Sequence, residues 1–304
     1  MHEIKIGTIV GAGGAPKMLP KLIPYGFETF SLMFWETIGD CNLEALAQDV
    51  AAVLEGTGCT ISTIGIYGNP LADSDSASRP LDNERGAECR RGWEALINAA
   101  HLFKTDIVTG FAGRVIDKPV DESIPKFKEV FTPLTQLAQS KGLKIAFENC
   151  DMGGDWHRGD WNIAFCPKAW ELMFEAVPFD NIGLQWEPCH QMVQLTDPIP
   201  QLRKWVHKIF HVHGKDATIA WDVIKEKGIR SGEAYCWHRT PGFGDSNWTD
   251  IISILRMAGF KGSIDIEGWH DPVYRGELEY VGQVHALNYL KNCRGGDWVD
   301  NLEA

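Results

Sequence analysis

The sequence has little of what marks a membrane protein, a nucleic-acid binder or a disulfide-built secreted domain. No apolar run approaches the roughly 18 residues that span a bilayer. The opening Met1-His2-Glu3-Ile4-Lys5 lacks a signal-peptide pattern, so the expected address is cytoplasmic. Basic residues are outnumbered, 29 Lys and Arg against 41 Asp and Glu, for a formal net charge of −12, and no Lys/Arg run exceeds two. A field of that sign repels phosphate backbones and anionic lipid, so neither nucleic acid nor a membrane surface is an expected partner. The eight cysteines form no C-x-x-C pair and read as reduced thiols. No low-complexity stretch or break in composition marks a linker, so one domain over residues 1–304 is expected.

What is present is an ordinary globular composition, 44% hydrophobic and 23% charged over 304 residues. Eight short apolar runs recur as strand candidates: 4–10, 27–34, 60–67, 106–111, 143–148, 182–187, 209–213 and 263–267. Helical periodicity fills most of the intervals, at 43–54, 84–103, 121–140, 167–177, 247–257 and 277–292. Asp121 and Asn247 stand at N-cap positions, and Gly142 and Gly259 where helices stop. The first two strands are separated by a Pro/Gly-rich turn. Near-continuous apolar strands alternating with amphipathic helices indicate a parallel sheet covered on its outer face. Eight such units predict a (β/α)8 TIM barrel, with a doubly wound open sheet as the competitor. A long connection from His213 to Asn247 follows the seventh strand, on the side of a barrel where active sites form.

The strongest signal is positional. Four consecutive predicted strands end in a metal-ligand residue: Glu148, Glu187, His213 and Glu267. In a closed parallel barrel the C-terminal strand ends converge, so these four would face a common point. Three carboxylates aimed at one another repel unless a cation is shared among them. Three carboxylates and an imidazole suit Mn²⁺ first, then Mg²⁺, and tolerate Co²⁺ or Zn²⁺. Further candidates lie beside the same ends. His190 follows Glu187 by three residues, and Lys215 and Asp216 follow His213. Arg239 precedes the Pro-Gly-Phe-Gly run at 241–244, Glu36 ends the second strand and Arg114 follows the fourth. Trp35, Phe111 and Trp269 could wall the apolar face of a sugar.

The motifs Ala146-Phe-Glu-Asn149, Glu187-Pro-Cys-His190, His211-Val-His-Gly-Lys-Asp216, Pro241-Gly-Phe-Gly-Asp245 and Ile264-Asp-Ile-Glu267 resemble the sugar phosphate isomerase/epimerase superfamily, the xylose isomerase-like TIM barrels. The resemblance implies one divalent metal on Glu148, Glu187, His213 and Glu267. It also implies that Glu148 and Glu267 double as an acid/base pair, and that His190 and Arg239 contact substrate. The family more often has Asp where Glu187 stands.

The chemistry so implied is proton abstraction next to the carbonyl of a sugar, ketose or polyol derivative through an enediolate, giving isomerisation or epimerisation. Expulsion of a β-hydroxyl from the same site would make an inosose-dehydratase-like lyase. Other classes are weaker. An endonuclease IV-like phosphodiesterase needs a His-richer trinuclear site and a basic face. An NAD-dependent oxidoreductase is suggested only by Gly11-Ala-Gly-Gly-Ala15, which breaks the dinucleotide fingerprint at Pro16. A catalytically inert sugar-binding barrel would keep the fold alone. A homo-oligomer is compatible with the surface but not required by it.

Overall fold

Strands form where the β-branched and apolar runs lie, and helices where the apolar period lengthens to 3.6. The computed structural model describes residues 3–72 and 80–300, the side chains of 80–83 apart. Its first half runs β1 (Lys5–Gly11), α1 (Ala15–Leu22), β2 (Thr29–Trp35), α2 (Leu43–Leu54), β3 (Thr60–Tyr67), α3 (Pro80–Ala99), β4 (Ile107–Gly110), α4 (Val120–Ser140) and β5 (Lys144–Glu148). Then come α5 (Pro167–Ala176), β6 (Ile182–Trp186), α6 (Cys189–Val193), α7 (Pro198–Trp205) and β7 (Ile209–Gly214). The last third holds β8 (Asp216–Ile219), α8 (Trp221–Lys227), β9 (Cys236–Arg239), α9 (Trp248–Met257), β10 (Ser263–Ile266) and α10 (Glu279–Cys293). The strands of the main sheet close into a barrel in the order β1-β10-β7-β6-β5-β4-β3-β2. The (β/α)8 expectation holds and the open-sheet alternative falls. Among the described residues, no helix is long and apolar enough to cross a membrane. No disulfide joins any of the eight cysteines.

By packing, the chain divides into two units. One comprises residues 9–186 and 208–211. Its strands pair in parallel, β2 with β3, β3 with β4, β4 with β5 and β5 with β6. A polar layer runs through it: Tyr67 Oη lies 3.0 Å from the Thr109 hydroxyl and donates to Gln185 at 2.7 Å. The Gln185 amide in turn lies 3.0 Å from His211 Nδ1. On the helix side, Trp93, Phe127, Phe131 and Phe147 pack edge to face, with Phe131 and Phe147 centroids 4.7 Å apart. The other unit comprises residues 1–8, 187–207 and 212–304. There β10 pairs in parallel with β1 and with β7. Buried Arg294, just past α10, donates to the Ile4 carbonyl at 2.8 Å.

Three sequence expectations need correction. The turn after β1 contains a helix, α1, because Pro16 occupies a first-turn position that needs no N–H and Ala15, Leu19 and Leu22 fall on one buried face. Asp121 is not an N-cap: α4 begins at Val120 behind Pro119, and Asp121 lies in the first turn, where its charge still complements the helix dipole. The long connection after β7 is also not an open loop. It folds as an antiparallel hairpin in which Asp216 pairs with Arg239 and Ile219 with Cys236, with α8 between the strands. Asn247 does cap α9, its side chain accepting from the Asp250 N–H at 3.1 Å.

Candidate metal centre

Parallel pairing sets the register of the site. His213 sits opposite Asp265 and Gly214 opposite Ile266, so the residue after β10, Glu267, arrives beside the end of β7, its N–H donating to the Gly214 carbonyl at 3.1 Å. Glu187 follows the last residue of β6 directly. Pro188 then sits at the N-cap of α6, and the first turn of that helix carries His190 back toward Glu187. The His190 Nε2 to Glu187 Oε1 distance is 2.9 Å. Glu267 is held from three sides. Lys215 Nζ donates to its Oε1 at 2.7 Å, His270 Nε2 lies 3.0 Å from the same oxygen, and His213 Nδ1 lies 3.3 Å from Oε2. Glu187, His213, Lys215 and Glu267 are all buried.

Glu187, His213 and Glu267 each offer a ligand atom within 4.8 Å of the others. Burial alone would keep these carboxyls neutral. The Lys215 ammonium and His190 nevertheless pull Glu187 down to about 2. Glu267, opposed by burial in the same way, is held well below the usual carboxylate range by Lys215 and by hydrogen bonds from His213 and His270. Two ionised carboxylates and an imidazole make an oxygen- and nitrogen-donor pocket. That donor set fits a hard or borderline divalent cation. A second group, Cys189, His190 and His238, also lies within metal-binding reach. Burial pushes the Cys189 thiol well above its ordinary value, so it stays protonated and makes a poor ligand.

The remaining expected residues separate by surroundings. In the same unit, Arg239 Nε donates to Asp271 Oδ2 at 3.0 Å, which holds its guanidinium beside the hairpin strand β9. Asp271 is itself fixed by the N–H groups of Thr240, Val273 and Tyr274, and these with Arg239 outweigh burial to keep its carboxyl below the ordinary value. Asp216 turns inward. Its carboxylate accepts from the N–H groups of Ala217 and Ser246 and from the Trp248 indole, so it anchors the hairpin. In the other unit, Glu148 ends β5 and is buried, with its carbonyl accepting from Asn162 Nδ2 at 2.9 Å. Glu36 pairs with Arg85 at 2.9 Å, and Trp35 is 52% exposed against Trp161. Phe111 is buried against Trp35, their ring centroids 6.4 Å apart. Arg114 is buried, spending its guanidinium on the carbonyls of Lys118, Asp155 and Trp156.

Sequence reasoning missed His238, His270 and Asp271. His238 lies with its ring centroid 4.9 Å from that of His190, and burial and the nearby positive charge of Lys215 push it down to about 3, so it is a neutral imidazole. His270 carried a signal: Glu267-Gly-Trp-His270 repeats the Glu-x-x-His spacing of Glu187-Pro-Cys-His190.

The model of the xylose isomerase-like TIM barrel family matches residues 21–293. An inosose dehydratase from Clostridium botulinum (strain Alaska E43 / Type E3) is 30% identical over 166 residues, 52% of this chain and 50% of that protein. One from Bacillus thuringiensis (strain Al Hakam) is 26% identical over 208 residues, 62% of this chain and 65% of that protein. The aligned regions thus span from about half to two thirds of these curated relatives. Among solved structures, the apo 3-keto-D-glucoside 4-epimerase from E. coli superposes with a TM-score of 0.69 at 15% identity, covering 95% of this chain and all of that one. An L-ribulose 3-epimerase superposes at 0.68 with 16% identity, covering 96% of each chain. At these identities the structural likeness carries the fold.

Proposed function

The chain belongs to the xylose isomerase-like TIM barrel family, and from that premise we propose that it is a divalent-metal-dependent isomerase or epimerase of a sugar or sugar-derived polyol. The reaction is proton transfer next to a carbonyl. The observation that carries this reading is the buried set Glu187, His213 and Glu267, gathered within 4.8 Å with both carboxyls held ionised. Glu148, a buried strand-end carboxylate, is proposed as the fourth ligand. A divalent ion on these residues, Mn²⁺ in the first instance, would supply Lewis-acid polarisation of the substrate carbonyl.

The chain's own residues do the rest. Glu148 and Glu267 are the acid/base pair, one removing the proton and the other returning it. Lys215 keeps Glu267 ionised and oriented through its 2.7 Å bond. His190, buried and tied to Glu187, and Arg239, fixed by Asp271, are positioned to hold substrate oxygens. Neutral His238 stands beside His190, their ring centroids 4.9 Å apart.

The test is exchange of a substrate C–H with solvent deuterium, run with candidate ketoses on metal-loaded enzyme. Exchange is expected in the wild type and reduced at least ~100-fold in Glu148→Gln and Glu267→Gln, with metal content measured in each. Undiminished exchange in the metal-loaded double variant overturns the assignment. A second reading, dehydration of a keto-polyol, is favoured by one observation, the naming of the curated sequence relatives as inosose dehydratases. Loss of water from an inosose, measured by product mass, separates it from epimerisation.

A further inference from the structure

Three histidines come together in the unit of residues 1–8, 187–207 and 212–304: His190 on α6, His238 on β9 and His270 after β10. The His238 ring centroid lies 4.9 Å from that of His190 and 6.2 Å from that of His270. We propose that His238 is a substrate-binding residue, whose Nε2 hydrogen-bonds an uncharged hydroxyl or carbonyl oxygen of the sugar or polyol at the metal centre. The proposal rests on the reading of Glu187, His213 and Glu267 as that centre.

Register places His238 there. It pairs with Ala217 across the antiparallel strands β8 and β9, and residues directly opposed in such a ladder share a face. Ala217 packs with Cys189 and Met192 of α6, and Ile219 and Cys236 lie against the same cluster. The face of the hairpin that bears His238 is therefore the one laid on α6, the helix that carries His190. The hairpin is pinned in that place without any ligand. Tyr235 Oη donates to the Val193 carbonyl at 2.9 Å, and Asp216 accepts from the Ser246 N–H at 3.0 Å. The charges that act on the His238 ring are those of the metal centre, Lys215, Glu187 and Glu267, together with His190.

The two neighbouring histidines are committed to carboxylates, and His238 is not. His190 Nε2 lies 2.9 Å from Glu187 Oε1, and His270 Nε2 lies 3.0 Å from Glu267 Oε1. His238 makes no side-chain hydrogen bond to any of the described residues, and its Nδ1 is buried without a partner. Buried polar atoms are nearly always paired, so an exception needs a cause. Nε2 is the ring nitrogen left open, and with no partner on Nδ1 nothing fixes the tautomer. An uncharged imidazole of free tautomer can donate or accept, which matches a hydroxyl, itself both donor and acceptor. A phosphate or carboxylate gains no charge from it, because burial and Lys215 keep the ring neutral. A metal ion is also a poor match, since the third group within reach, the Cys189 thiol, keeps its proton.

The experiment follows exchange of substrate C–H for deuterium with D-fructose, L-ribulose and an inosose on metal-loaded protein, and takes KM and kcat for each that exchanges. His238→Phe keeps an aromatic ring and removes both nitrogens. It should raise KM about tenfold and leave kcat within about threefold, the signature of a contact made equally in ground and transition states. Its metal content should match the wild type. Its melting temperature should not fall, because a buried nitrogen without a partner has been replaced by carbon. His238→Gln, whose amide reaches the place of Nε2, should recover most of the KM, and His238→Asn, which reaches only that of Nδ1, should not. Exchange with none of the compounds sinks the reading of the centre, and the inference with it. Exchange by the wild type with an unchanged KM in His238→Phe sinks the inference alone. So does a raised KM that comes with lost metal or a lowered melting temperature, or one that His238→Asn repairs as well as His238→Gln.

Discussion

The ends of β6 and β10 carry the same spacing, Glu-x-x-His, in two different settings. At β6, Pro188 starts a helix at once, and both Glu187 and His190 are buried, 2.9 Å apart. At β10 no helix follows. Gly268 and Trp269 turn the chain, Trp269 at φ +37°, and His270 reaches Glu267 at 3.0 Å while remaining 45% exposed. The Glu279 carboxylate accepts the Trp269 N–H at 2.8 Å and holds this turn in place of a helix. The same local pattern thus yields one pair sealed in the protein and one whose carboxylate is buried but whose imidazole is open to solvent. An imidazole sealed against its carboxylate fixes that carboxylate's orientation, whereas an exposed one exchanges its bond with water.

The comparison is broken most severely by removing the carboxylates. Glu187→Gln and Glu267→Gln should each lower metal content and cut turnover by about 10³-fold, checked by elemental analysis alongside kcat. Metal removal by chelation should lower the melting temperature of the wild type, by the equivalent of about 2.7 kcal/mol when the ion stands at a hundred times its Kd, and by little in Glu187→Gln. The histidines sharpen the contrast. His190→Ala should cost roughly 10–100-fold in metal affinity or activity, as the loss of a fixed outer partner does, and His270→Ala only a few-fold. Equal losses from both would dissolve the distinction between sealed and exposed pairs.

The smallest expected effect concerns the turn after β10. Asp271 accepts four hydrogen bonds, and its carboxyl is held below its ordinary value. A depressed carboxylate contributes stability above its unfolded value, about 3.9, and that contribution is lost as pH falls through the lower folded value. Asp271→Asn should therefore cost about 1–2 kcal/mol in urea denaturation at pH 7, with the difference shrinking below about pH 4. A difference that does not change with pH would mean that the carboxylate's charge plays no part.

Much of this was legible in the sequence wherever local signals agree. The spans of α2 and β3 are read to the residue, because Asn42 caps α2 through the Ala45 N–H and β3 is rich in β-branched residues, five of its eight being Thr or Ile. The other barrel strands shift by only a residue or two at their ends, and the ligand-type residues still fall at or just after the strand ends. α1 was hidden by its two prolines: Pro16 falls in the first turn, where no N–H is needed, but Pro20 lies inside the helix, where a proline ordinarily argues against one. The hairpin β8–β9 was hidden because its strands have four residues each and acquire meaning only when paired. In the site, Glu187, His213 and Glu267 announce themselves by position, and His270 by repetition. Asp271, Arg85 and Asn162 do not, since each acts through a partner 14 to 49 residues away that no local pattern specifies.

The central claim is that the ends of β6, β7 and β10 grip a divalent cation. Crystals grown with excess MnCl₂ and measured at the manganese absorption edge test it most directly. One anomalous peak is expected at coordination distance, roughly 2.0–2.2 Å, from carboxylate oxygens of Glu187 and Glu267 and an imidazole nitrogen of His213. Absence of that peak, with Lys215 still bonded to Glu267 and the three side chains unmoved, would contradict the account.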